Sequence, residues 1–426
     1  GWDWRFWGSG YWWQNTRQPY YNSLMQGDGE VLDAMIAFYQ QMVPLGRART
    51  VRQFRDTDTP LPADAIFFPE TTTAFGTYYM ADWDNCDGNV SRPDGASHSP
   101  WIRYHYTGGL ELSLLILDRY EWTKNVLVLE RQLPLVWSVI SAFVHRFPIH
   151  PKDGIVDIFP AQSLETWQCP DPGNRSQCVT NPTPDIAGLQ TVLKRLLELP
   201  ANLVSGYQRE LWTNYTQALP PLPMTTVNTT TIIAPGERLP PKPINVENAE
   251  LYTVHPYRLY GVGLPDLALA QDTFEHRRFP CNNGWCQDVI DAALLNRTED
   301  TVHLIRDRVQ KGPAKNFRFP GFAAAQQDDV PSLDHFSTFR TAVNYMLLSP
   351  YTLDAHGSFQ VFPGFPSDVW NVEFRLHGPD NTVIEASCQD GEVKYLRVDP
   401  PEKRNRIQHT GNCRLVATAA TTLEVE

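Results

Sequence analysis

Between about residue 22 and residue 348 the apolar residues return mainly at helical spacing. Leu110, Leu114 and Leu117 repeat this way, as do Leu129, Leu133, Val136, Ile140 and Phe143, the stripe of a helix with one buried side. The same spacing predicts helices near 24–44, 185–197, 205–217, 264–277, 285–296, 299–310 and 335–348. Long Pro-, Gly- and Asp-rich loops separate them, and no strand–helix alternation occurs, which argues against a parallel α/β sheet. Helices joined by long loops instead suggest a toroid of helical hairpins whose loops at one end build a site. After Pro350 the period changes to two. Residues 371–377, 382–388, 392–399 and 412–418 read as short strands, with turn signals at 378–380 and 390–391. The prediction is a mainly α domain over 1–350 followed by a small antiparallel β-domain over 351–426. The Pro- and Thr-rich stretch 220–243 reads as a surface excursion.

Composition narrows the function classes. At 426 residues, 42% hydrophobic and 20% charged, the chain is an ordinary globular protein too long for one core. No run approaches the ~20 apolar residues of a membrane helix and none has signal-peptide shape, so no membrane span is expected. The first residue is Gly1 rather than Met, as in a processed product or a fragment. A net charge of −12 without a Lys/Arg run argues against nucleic acid and anionic membranes as partners. Thirteen Trp and 17 Tyr suit stacking on sugar faces as well as they suit an aromatic core.

Sequons at Asn89, Asn174, Asn214, Asn228 and Asn296 offer N-glycosylation sites. Seven cysteines form three close pairs, Cys169 with Cys178, Cys281 with Cys286 and Cys388 with Cys413, leaving Cys86 over. Together these features predict a secreted, extracellular or secretory-lumen protein. The Cys spacings lack the second ligand pair of a zinc site. The acidic loop of Asp82, Asp84 and Asp87 lacks the closing Glu of a calcium loop, so no metal and no cofactor is expected.

Six segments carry a resemblance: YWWQNTRQPYY (11–21), FFPETTTAFG (67–76), PAQSLETW (160–167), NVENAELYTVHPYRLYGVG (245–263), GWCQDVIDAALL (284–295) and DHFSTFRTAVNYMLLSP (334–350). They resemble an uncharacterised family of glycoside-hydrolase-like proteins, itself distantly similar to inverting α-L-fucosidases and α-L-galactosidases with an (α/α)6 barrel. The resemblance implies that this chain is the C-terminal portion of such a protein, its toroid incomplete and lacking the first helix. A companion N-terminal chain or segment would complete it, with Cys86 as a covalent link.

Carried over residue by residue, the fucosidase pattern puts a water-orienting Asn at Asn15, while Trp13 stands where a second Asn is expected. The general acid falls on Glu165 in Ser163-Leu164-Glu165, with Leu in place of the family's Pro. The base falls on Asp334, ahead of Met346-Leu347-Leu348. A glycosidase that inverts by single displacement needs such a pair, one acid on the leaving oxygen and one base on water, roughly 6.5–9.5 Å apart. Apolar neighbours of Glu165 would keep it protonated, and the start of a helix would favour ionised Asp334. Substrate contacts are expected from Trp13, Gln14, Glu70, Arg103, His105, Gln162, Trp167, His255, Arg258, Asp288 and His335, and the partner is an oligosaccharide or glycan. The plain alternatives are a solvent-facing loop acid at Glu165, a helix cap at Asp334 and a structural histidine at His255. For the whole chain, the alternative is a catalytically silent extracellular glycan-binding or structural glycoprotein.

Overall fold

The computed structural model describes residues 10–54, 60–74, 76, 99, 101–310, 333–350, 358–409 and 411–415. Helices occupy every segment with helical spacing: α1 (Trp13–Thr16), α2 (Gly29–Gln53), α3 (Thr107–Thr123), α4 (Val126–Arg146), α5 (Thr183–Leu197), α6 (Gly206–Ala218), α7 (Leu267–Glu275), α8 (Asp288–Leu294), α9 (Thr298–Gln310) and α10 (Leu333–Leu347). A 3-10 segment, Ala249–Thr253, lies between α6 and α7.

Local chemistry sets several helix ends. At α6, Ser205 Oγ accepts from Gln208 N at 3.2 Å and Gln208 Oε1 accepts from Ser205 N at 3.0 Å, a reciprocal capping box. Asn125 Oδ1 caps α4 through Val128 N at 3.2 Å.

Two kinds of helix alternate. The helices α3, α5, α8 and α10 and the 3-10 segment are buried over most of their surface, whereas α2, α6, α7 and α9 bury one stripe. The buried set packs in succession: α3 on α5, α5 on the 3-10 segment, α8 on α10 and α10 on α1. The stripe-buried elements lie against them, α2 on α3, α6 on α5, α7 on the 3-10 segment and α9 on α8. Helix α4 is long and apolar enough to cross a membrane, but it packs on α3 and α2 with its Leu, Val and Phe face in the core.

Close approach in the buried set depends on Gly188 of α5. A Cβ there would stand 2.7 Å from the Tyr257 ring and 2.9 Å from Leu110 Cδ1. Gly188→Ala is therefore expected to lower stability by about 1–3 kcal/mol, read as a lower midpoint of thermal unfolding; an unchanged midpoint would show that these layers yield easily.

The C-terminal region is β-rich, as its period-two pattern predicts. Val372–Gly378, Thr382–Gln389 and Glu392–Asp399 form an antiparallel meander. The fourth expected strand, 412–418, is reduced to Arg414–Leu415, which pairs parallel to Glu392–Asp399; residues 416–418 lie outside the described set. Leu348–Ser349, directly after α10, pairs with Phe359–Val361. Main-chain bonds from His377 N to Met25 O (2.8 Å) and from Asp380 N to Glu121 O (2.8 Å) join the β region to the helices.

The 220–243 stretch contains a hairpin, Met224–Val227 with Thr230–Ile233. Its turn residues Asn228 and Thr229 both have positive φ, 54° and 119°. Buried Ile233 donates its N–H to Thr273 Oγ1 on α7 at 3.1 Å, so this excursion is anchored.

Candidate active site

Glu165 sits at the tip of a tight loop. The backbones of Ser163 and Trp167 exchange two hydrogen bonds, Ser163 N to Trp167 O at 3.0 Å and Trp167 N to Ser163 O at 3.1 Å, leaving Leu164, Glu165 and Thr166 to turn. Leu164 takes φ +53°, a conformation closed to proline, whose ring fixes φ near about −65°. Position 164 of this loop therefore excludes proline. Gln162 braces the loop: its Nε2 donates to Trp101 O (2.7 Å) and Leu164 O (3.0 Å), and its Oε1 accepts from Tyr104 N (3.0 Å). These bonds occupy the amide in scaffolding. Thr166 Oγ1 adds a 2.9 Å bond to Glu247 O.

The carboxyl of Glu165 is buried, only 7% of the residue being exposed, so it is no solvent-facing loop acid. Its Oε2 accepts from Asn245 Nδ2 at 2.9 Å and from Gln14 Nε2 at 3.3 Å. Burial, followed by the nearby Glu247 carboxyl, pushes Glu165 up to about 8; the two amide donors pull the other way.

Asn15, the neighbour of Gln14 in the short helix α1, donates from Nδ2 to Asp334 Oδ2 at 2.5 Å. Consecutive residues of one helical turn therefore touch the two carboxyls. Asp334 lies in the first turn of α10, inside the helix rather than at its cap, and its Oδ2 is 3.4 Å from His335 Nε2. Arg308 secures this helix start. Its Nη1 donates to His335 O (3.1 Å), Thr338 Oγ1 (2.5 Å) and Gly284 O (3.0 Å), and its Nη2 donates to Cys286 O (2.7 Å).

Beneath α1 lies a buried charge network. Arg17 donates to both Glu111 oxygens (2.6 and 2.8 Å), to Glu247 Oε1 (3.2 Å) and to Tyr252 OH (2.5 Å), and Tyr21 OH also bonds to Glu111. Burial opposes the Arg17 charge, but Glu111 and its other partners outweigh it and hold the guanidinium well above its usual range. On the other side, Glu70 accepts from Gln14 N at Oε1 (2.8 Å) and from Trp13 N at its carbonyl (2.7 Å). Its Oε2 stands 3.2 Å from His105 Nδ1. Burial raises Glu70 well above the carboxylate range, with the Glu165 carboxyl adding to it, and lowers His105 to about 3. His105 is neutral near pH 7, so this contact is not an ion pair.

The remaining expected contacts have protein partners or neighbours of their own. Trp13 is core, its ring edge-on to Tyr39 with centroids 5.3 Å apart. Trp167 is buried, with the Arg278 guanidinium 5.3 Å from its ring. His255 is fully buried beside the Tyr21 and Tyr345 rings, and burial lowers its pKa well below the usual value. Arg258 grips Asp118 (3.0 and 2.5 Å) together with Arg195. Burial opposes ionisation of Asp118, but the two arginines outweigh it and hold its pKa below the usual value. The Arg103 guanidinium lies 5.1 Å from the Tyr104 ring. Asp288 is bound to Arg277 (2.6 Å), Asn248 (3.1 Å) and Cys281 N (2.9 Å).

Sequence reasoning missed Asn245, Glu247 and Arg17. The first two lie in the quoted 245–263 segment and Arg17 in 11–21, but nothing in residue type alone separates them from surface polar groups.

Cys169 is bonded to Cys178, Cys281 to Cys286 and Cys388 to Cys413. Asn174, Asn214, Asn228 and Asn296 are exposed. Cys86, Asn89 and the acidic loop of Asp82, Asp84 and Asp87 lie outside the described residues. Among the described residues no three His, Cys, Asp or Glu side chains are grouped to hold a metal.

The sequence matches no family model and no curated protein. Over 90% of its length the chain superposes on a solved structure described as a putative kojibiose phosphorylase from human microbiome, with a TM-score of 0.56 and 9% identity. It spans 56% of that chain, little more than half. At such identity the likeness is one of fold.

Proposed function

We propose that this chain carries the active site of a glycosidase that cleaves an α-linked sugar with inversion, Glu165 acting as general acid and Asp334 as general base. The observation that carries this reading is the pair of contacts from one turn of α1, Gln14 to Glu165 and Asn15 to Asp334. Such an arrangement links a loop carboxyl and a helix carboxyl far apart in sequence and leaves them in different surroundings, which is how one site obtains an acid and a base. Glu165, buried and raised to about 8, holds its proton at neutral pH for the leaving oxygen. Asp334, with Asn15 beside it, takes the proton of the attacking water. A carboxyl at that position suits water better than phosphate as the acceptor, because an anion would meet like charge.

The helix packing supports an (α/α)6 toroid. On this reading α1, α3, α5, the 3-10 segment, α8 and α10 belong to an inner layer and α2, α4, α6, α7 and α9 to an outer one, in keeping with their packing. The fold likeness to a phosphorylase of a sugar is in keeping with a carbohydrate substrate. Three disulfides suit an extracellular or secretory-lumen setting.

The test is hydrolysis of a panel of aryl α- and β-glycosides across pH. The acid must be protonated to act, so on the alkaline limb kcat/KM is expected to fall as pH rises through about 8, where Glu165 loses its proton. A rate that keeps rising past that point would remove Glu165 from the acid role. Silence across the panel, with measurable glycan binding, would favour the non-catalytic glycoprotein.

A further inference from the structure

Beside the Glu165 loop a small cavity is walled by Glu247, Asn248, Tyr252, Gln287, Asp288 and Asp291, among others. One side of it is the 245–248 stretch whose Asn245 holds Glu165. Most of its polar groups are engaged. Glu247 Oε1 accepts from Arg17 and Tyr252, the Asn248 amide bonds to Phe279 and Asp288, and Asp288 is bound by Arg277 and Cys281.

Gln287 differs. It is 8% exposed, yet neither Nε2 nor Oε1 has a protein partner, and Asp291 Oδ1 on the same wall has none either. Buried amides left unpaired are costly, and native structures almost always pair them. An amide offers two donors and an acceptor, the complement of a hydroxyl group. An anion would instead face the carboxyls of Glu247, Asp288 and Asp291. Burial, with Asp288 next, pushes Asp291 well above the carboxylate range.

On the reading that Glu165 acts on a sugar, we infer that Gln287 is a specificity-determining residue, gripping one hydroxyl of a neutral sugar whose glycosidic oxygen lies at Glu165, with Asp291 as its second partner. The 284–295 motif first draws attention to Asp288; the structure commits Asp288 to Arg277 and leaves its neighbour Gln287 to meet the ligand.

The experiment is titration of the chain and its Gln287→Leu variant with glucose, galactose, mannose and fucose and their monodeoxy analogues, followed by saturation-transfer NMR. One parent sugar is expected to bind, and Gln287→Leu to weaken it about 10- to 100-fold. One monodeoxy analogue should lose a similar factor against the unsubstituted chain and nothing further against the variant. A thermal midpoint for Gln287→Leu close to the parent's guards against misfolding. If that variant unfolds, Gln287→Glu, which keeps the size but not the donors, takes its place and should weaken the same sugar. Equal binding by the folded variant and the parent, or deoxy losses unchanged by the substitution, would show that the cavity holds only water, and would overturn the inference while leaving the glycosidase reading intact. If no sugar binds the unsubstituted chain and no glycoside is hydrolysed, that reading falls and the inference with it.

Discussion

Replacing Glu165 by Gln is expected to lower kcat/KM for alkyl glycosides by about 10²- to 10⁴-fold, the contribution of a positioned general acid. The substitution is nearly isosteric, and a carboxyl raised to about 8 is already neutral at pH 7. The amide can still accept from Asn245 and Gln14 at one oxygen, so folding should be little disturbed and KM should move much less than kcat. The discriminating feature is the leaving group. A 4-nitrophenyl glycoside departs with little help from an acid, so its loss should be far smaller than that of a methyl glycoside. Equal losses on both substrates would point to a structural role for Glu165, and no loss on either would end the assignment.

Arg17→Met is expected to cost about 3–5 kcal/mol of folding stability, the effect of removing one partner from a buried ion pair. Arg17 is 1% exposed and is the cation shared by Glu111 and Glu247. Burial already raises both carboxyls, with Arg17 opposing that rise. Without the guanidinium they must stay protonated or remain charged in a poorly solvating interior. The loss is read from the urea midpoint, and Glu111→Gln with Glu247→Gln in the same chain should recover part of it. A midpoint for Arg17→Met equal to the parent's would mean that water reaches these carboxyls and that the network is not a closed core.

The helices were legible because each buries a continuous face. Leu129, Leu133, Val136, Ile140 and Phe143 announce α4 through spacing alone, and the alternation of Val372, Phe374 and Leu376 announces a strand. Carboxyls Glu165 and Asp334 could be singled out through the resemblance, and the structure finds each held by one of two adjacent residues, Gln14 and Asn15. Their partners were harder to see. Asn245 and Glu247 act through contacts with residues far away in sequence, and no local period encodes such contacts. His255, Arg258 and Asp288 show how burial and ion pairing hide from sequence. Polar residues in a motif look like ligand contacts, yet Asp118 consumes Arg258 and Arg277 consumes Asp288. The Leu164 departure could be explained only with its backbone in view, since φ +53° is invisible in the letters Ser-Leu-Glu.

The central claim, that Glu165 and Asp334 work as acid and base from opposite sides of one sugar, is tested most directly by the anomer first released. Hydrolysis of a reactive aryl α-glycoside followed in real time by proton NMR is expected to show the β-anomer before mutarotation. Initial release of the α-anomer would require a covalent intermediate and would contradict the assignment of Asp334 as a base acting on water.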